Sequence, residues 1–249
     1  MSGPTGQLLC VAGLTARAAD RTLIDAVTFD VAAAGTTVLL GRNGAGKTTT
    51  MRAILGLAPT AGAVTGAVTL DGEPIHHLPT HARIRRGLGY VPEDRRVFPA
   101  LTVAENLRLA EQSGIRPRYD LVYDLFPELS ARAGQRAGTL SGGQQQMVAI
   151  GRALLRDNRL LLIDEPTKGL APRVVTQVAA ALERIATSVP ILLVEQNLAV
   201  VRRLAGDVIV LTDGHLAYTG TTTQLLQEPG LTRSLLGVAT SATATGAPS

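Results

Sequence analysis

The stretch GRNGAGKTT, Gly41 to Thr49, follows the apolar run TVLL and precedes a segment with Met51, Ile54 and Leu55 at core-facing helical spacing. A short strand, a glycine-rich turn and a helix start, in that order, leave few folds open to the chain. The pattern Gly-x-x-x-x-Gly-Lys-Thr is complete and sits in the context that gives it meaning. It predicts an α/β architecture.

Glycines let a backbone wrap closely around an anion, and the N–H groups at a helix N-terminus favour negative charge. The stretch therefore reads as a cradle for phosphate oxygens, with Lys47 reaching the β- and γ-phosphates and the Thr48 hydroxyl ligating Mg²⁺. A cradle alone binds nucleotide without hydrolysing it. The run LLLIDEP supplies the remainder: Leu160 to Asp164 is almost continuously apolar, as in a parallel strand buried on both faces. Asp164 emerges at the strand end, where ligands sit in parallel sheets, placed to hold the Mg²⁺ hydration shell opposite Thr48. Glu165, one residue on, is placed as general base toward an attacking water. Taken alone, the strand end also fits an acidic cap on the next helix.

Other runs extend the alternation. Leu8 to Val11 and Val68 to Leu70 read as strands, the second ending in the turn Asp71-Gly72. Ile191 to Val194 and Val208 to Leu211 read as two more, followed by Asp213-Gly214. From about Asp94 to Asp157 helix follows helix, which predicts a helical lobe inserted in the α/β core. Thr102 with Glu105 forms a capping box at its first clear helix. The last residues, Ala239 to Ser249, are small and polar and are expected to be disordered, so residues 1–238 are expected to form one domain.

Composition removes some classes. With 249 residues the chain can bury a substantial core. The net charge of +4 would suit nucleic acid, but the basic residues are scattered and aromatics make up only 3%, too few for stacking on bases. No nucleic-acid partner is expected. Nor does any run reach the length of a membrane span. Cys10 stands alone, which excludes an internal disulfide and suits a reducing compartment; it is expected to be buried in its strand.

A second glycine pair stands at TLSGGQQQMVAIGRALL, Thr139 to Leu155. Ser141 and Gln144 make another capping box, which puts Gly142 and Gly143 at a helix start with N–H groups that favour anions. With the phosphate loop and LLLIDEP, in this order, LSGGQ resembles the nucleotide-binding subunit of an ATP-binding cassette (ABC) transporter. The resemblance spans roughly residues 7 to 237, and LSGGQ is its most specific element, since phosphate loops occur in many unrelated NTPases.

The resemblance implies a P-loop NTPase core with a mainly parallel sheet, an N-terminal antiparallel β region and the inserted helical subdomain at about 94–157. It implies ATP and Mg²⁺ as cofactors, with Gly41, Arg42, Asn43, Gly44, Ala45, Gly46, Lys47, Thr48 and Thr49 on the nucleotide. Two such domains would pack head to tail. Ser141, Gly142, Gly143 and Gln144 would then serve the γ-phosphate held by the partner.

Four positions depart from the commonest family pattern. Glu93 ends GYVPE where most relatives have glutamine; it can accept from a water of the Mg²⁺ shell. Gln196 stands in place of a γ-phosphate-sensing histidine and donates through its amide without titrating. Ala171 replaces an aspartate that bridges subunits. Ala18 falls where an aromatic stacks on adenine, with Arg17 as the alternative stacking surface.

VPEDRRVFPALTVAENL, LFPEL, DEPTKGLAP and LLVEQN are similar, nearly phrase by phrase, to the smaller ATPase of branched-chain amino-acid importers, where the Glu, Gln and Ala substitutions are ordinary. The similarity implies a peripheral subunit on the cytoplasmic face of the membrane. Its partners would be permease subunits, a second ABC ATPase and, indirectly, a solute-binding protein. Close relatives in this class serve urea and short amides. Arg95, Arg96, Val97 and Phe98 fall where a membrane subunit docks in the family; alternatively, Phe98 packs the lobe onto the core.

Overall fold

The computed structural model describes residues 6–59, 61–112, 114–204 and 206–237. The expectation for Ala239 to Ser249 lies outside them. Among the described residues ten strands form two sheets: β1 (Gln7–Ala18), β2 (Arg21–Ala32), β3 (Thr36–Leu40), β4 (Gly62–Leu70), β5 (Glu73–Pro74), β6 (Leu88–Val91), β7 (Leu160–Asp164), β8 (Ile191–Val194), β9 (Asp207–Thr212) and β10 (His215–Thr221).

The first sheet, in the order β2-β1-β4-β5, is antiparallel throughout. The second runs β10-β9-β3-β8-β7-β6 and is parallel except for the hairpin edge β9–β10. Its central strands are apolar without alternation because both faces are covered. Leu161 and Ile163 of β7 enter one core, facing the helices, while Leu160 and Leu162 enter the other, facing the first sheet. All four are fully buried, at about 1.5–3 kcal/mol each. β3 splits in the same way, with Val38 and Leu40 on the helical side and Leu39 on the other.

Between β6 and β7 lie the helices Val103–Arg108, Tyr119–Leu125, Pro127–Ala131 and Gly142–Leu154. Both capping boxes form. The Thr102 hydroxyl accepts from Glu105 N at 3.2 Å while the Glu105 carboxylate accepts from Thr102 N at 2.7 Å, and Ser141 and Gln144 exchange the same pair of bonds. Buried Asn106 shapes the entry to this region. It accepts from Phe98 N at 2.8 Å and donates to the carbonyls of Phe98, Leu101 and Thr102.

That bracing turns Phe98 outward, 49% exposed, with the Arg152 guanidinium 5.5 Å from its ring centroid. Phe98 thus lines a groove of about 450 Å³ with Tyr90, Leu109 and Arg152 instead of filling the core. Cys10 departs from expectation. It lies in β1 but is only half-buried, because it alternates with the inward Leu9 and Val11.

Candidate active site

The loop from Gly41 leaves the end of β3, and Gly46 caps the helix Lys47–Ile54 in a left-handed conformation, φ 98°. A Cβ at Gly46 would run into Ile24, so glycine is needed for close approach as well as for φ. The far end of this helix is held by buried Arg83, whose Nη1 donates to Ala53 O at 3.2 Å and Ile54 O at 2.7 Å. A guanidinium on the last carbonyls satisfies the helix C-terminus. The phosphate end is therefore presented on an anchored helix.

Lys47 is buried, and its Nζ donates to Gly41 O at 2.9 Å and Arg42 O at 3.0 Å. Burial lowers its pKa, opposed by the nearby Glu165 and Asp164 carboxylates. The Thr48 hydroxyl donates to Asp164 Oδ1 at 3.1 Å. Asp164 is 0% exposed, its Oδ2 has no partner, and burial pushes its pKa up to about 6. An orphaned carboxylate oxygen beside a threonine hydroxyl suits a cation or its water.

Glu165 adopts φ 45°, uncommon for a residue with a Cβ, and its N–H is tied to Val194 O at 2.9 Å across the strand ends. Such a conformation costs about 1–3 kcal/mol and tends to mark a working residue. Its carboxylate is gripped from two sides. Gln196 Nε2 donates to Oε1, and Lys168 Nζ lies 3.1 Å from Oε2. The same ammonium lies 2.5 Å from Glu93 Oε1. A chain of contacts thus runs Gln196, Glu165, Lys168, Glu93.

A pocket of about 560 Å³ is lined by Asn43, Gly44, Gly46, Lys47, Thr48, Thr49, Glu93 and Glu165 from among the expected residues, with Asp164 beneath Thr48. Gly41, Arg42 and Gln196 line a neighbouring cavity of about 420 Å³ that shares Asn43 with the first. Ala45 packs into the core next to the first sheet. Ser141 to Gln144 do not line the pocket; they start the helix Gly142–Leu154, where Gly143 packs on Val174.

Reasoning from sequence missed several lining residues. Arg21, Thr22 and Leu23 form a wall because β1 and β2 pair Ala18 with Arg21 and Arg17 with Thr22. Arg17, offered above as a stacking surface, is exposed and does not line the pocket. Asp213 and Lys168 complete the site. Glu195 was also missed: it is buried, its pKa is raised by burial, and it accepts from the Thr167 hydroxyl.

A glycine-lysine-threonine loop facing a strand-end Asp-Glu pair on a mainly parallel sheet defines a P-loop nucleoside triphosphatase. Which branch it represents follows from comparison. Residues 24–168 match the family model described as ABC transporter, and the chain belongs to that family; it binds and hydrolyses ATP.

It is 40% identical over 204 residues to the high-affinity branched-chain amino acid transport ATP-binding protein BraG of Pseudomonas aeruginosa, covering 80% of this chain and 86% of that protein. A probable branched-chain amino acid transport ATP-binding protein, LivF of Archaeoglobus fulgidus, is 35% identical, with 85% and 91% covered. The lipopolysaccharide export system ATP-binding protein LptB of Escherichia coli is 32% identical, with 87% and 92% covered. Among solved structures, an ATP-binding subunit of an ABC transporter superposes with a TM-score of 0.76 at 28% identity, over 93% of this chain and 95% of that one.

Proposed function

We propose that this chain is the ATP-hydrolysing subunit of an importer for branched-chain amino acids. It would sit on the cytoplasmic face of the membrane and work with permease subunits, a second ABC ATPase and, indirectly, a solute-binding protein. The carrying observation is the 40% identity with BraG over most of both chains. Import is favoured over export because LptB, at 32% identity over 87% of this chain, is less similar than BraG at 40% over 80%. Among the described residues no helix is long and apolar enough to cross a membrane.

In this reading the loop N–H groups and Lys47 bind the β- and γ-phosphates. Thr48 and Asp164 would hold Mg²⁺, which supplies charge stabilisation for phosphoryl transfer. Glu165 orients and deprotonates the attacking water, steadied by the amide of Gln196. Ser141, Gly142, Gly143 and Gln144 would close over the nucleotide of a partner ATPase, and Glu93 would join the Mg²⁺ shell when free of Lys168.

Deleting the gene and measuring uptake of labelled leucine, isoleucine and valine tests the assignment. Loss of their uptake with urea uptake intact supports it. Unchanged leucine uptake together with lost urea uptake moves the chain to the short-amide class.

A further inference from the structure

Only two lysines occur in this chain, Lys47 and Lys168; every other member of its 24 basic residues is arginine. Both lysines line the nucleotide pocket. Lys47 belongs to the phosphate loop, whereas Lys168 lies outside it, just past the strand-end Asp-Glu pair.

Lys168 sits where two distant segments meet. Its ammonium bridges Glu165 Oε2 at 3.1 Å and Glu93 Oε1 at 2.5 Å. Its carbonyl accepts from Arg95 Nη2 at 3.5 Å, and its N–H donates to Glu165 O at 3.2 Å. The segment 93–95, at the edge of the Phe98 groove, thereby holds residue 168 by both side chain and backbone. Three carboxylates, Glu93, Asp164 and Glu165, lie at a site that must receive a polyanion. Lys47 Nζ donates to the loop carbonyls, while Lys168 is the ammonium that touches both glutamates. A compact head with three donors suits two acceptors at these distances.

We propose that Lys168 is a positioning residue for hydrolysis: it fixes the Glu165 carboxylate, balances it and Glu93 against the incoming triphosphate, and links both to the loop at the docking groove. Because φ of Glu165 is already constrained, its side chain is the adjustable part, and without Lys168 only Gln196 would hold it. This rests on Glu165 acting as the base.

Lys168→Met keeps length and removes charge at a side chain that is 57% exposed, so folding should survive. The full chain is assayed for kcat and KM, and, in EDTA, for its Kd toward trinitrophenyl-ATP. We expect kcat to fall at least fivefold and Kd to rise at least threefold, with Lys168→Arg restoring at least half of each loss. A smaller change in either quantity, or an arginine variant no better than methionine, overturns the proposal. Glu165→Gln measured alongside separates the two readings: if it keeps parental turnover, the assignment of the base itself has failed.

Discussion

Replacing Asp164 by Asn should make the nucleotide-free protein more stable while stopping its chemistry. The native carboxylate is fully buried, its Oδ2 has no partner, and burial raises its pKa from 3.8 to about 6. A carboxylate whose folded pKa is raised destabilises the fold once ionised. That penalty is absent below pH 3.8, grows as pH rises between 3.8 and 6, and is complete above 6. Two units correspond to about 3 kcal/mol. Asparagine removes this penalty, which already includes the attraction to Lys47, and keeps an oxygen for the Thr48 hydroxyl, but it leaves a buried amide N–H where Oδ2 has no partner. A net gain of about 1–3 kcal/mol remains, or roughly 2–10 °C in Tm for a chain of this size. Thermal melts at pH 7.5 without nucleotide or metal measure it directly. The gain should shrink toward pH 4, where the native parent is itself protonated. A variant melting at or below the parent at pH 7.5 would refute the claim that Asp164 is held at a cost to the fold.

Other expectations concern partners. If the helix start at Ser141 closes over a partner's nucleotide as proposed, Ser141→Arg places bulk and charge there and should leave ATP binding to the monomer intact while reducing hydrolysis by at least about 100-fold, the scale of a lost oxyanion donor; parental turnover would rule out the composite site. Arg95→Glu with Arg96→Glu reverses charge beside the exposed Phe98 groove and should reduce recovery in the membrane fraction while sparing ATPase activity in solution. Unchanged recovery would show that the groove is not the docking site.

Much of the fold could be read from β3, β7, β8 and β9, whose unbroken apolar runs announce strands covered on both faces. β6 escaped notice because LGYV is only four residues long and lies between Gly87 and Pro92, where periodicity has no room to appear. β1 and β4 were seen only in part, since their exposed halves are polar or small. In the site, loop and strand-end residues were legible because their chemistry follows local spacing. Lys168 was not: its bond to Glu165 spans three positions, but Glu93 arrives from 75 residues away. Arg21 to Leu23 reach the pocket through β1–β2 register, which a motif cannot express. The left-handed φ of Glu165 is likewise a tertiary fact, imposed where β7 ends against β8.

The most direct test of the central claim is affinity purification of the tagged chain from gently solubilised native membranes, with every co-purifying chain identified by mass spectrometry. Two permease chains and a second ATPase are expected in stoichiometric amounts, with a solute-binding protein that binds leucine, isoleucine or valine. Recovery of soluble partners alone would contradict the transport assignment and leave only the ATPase standing.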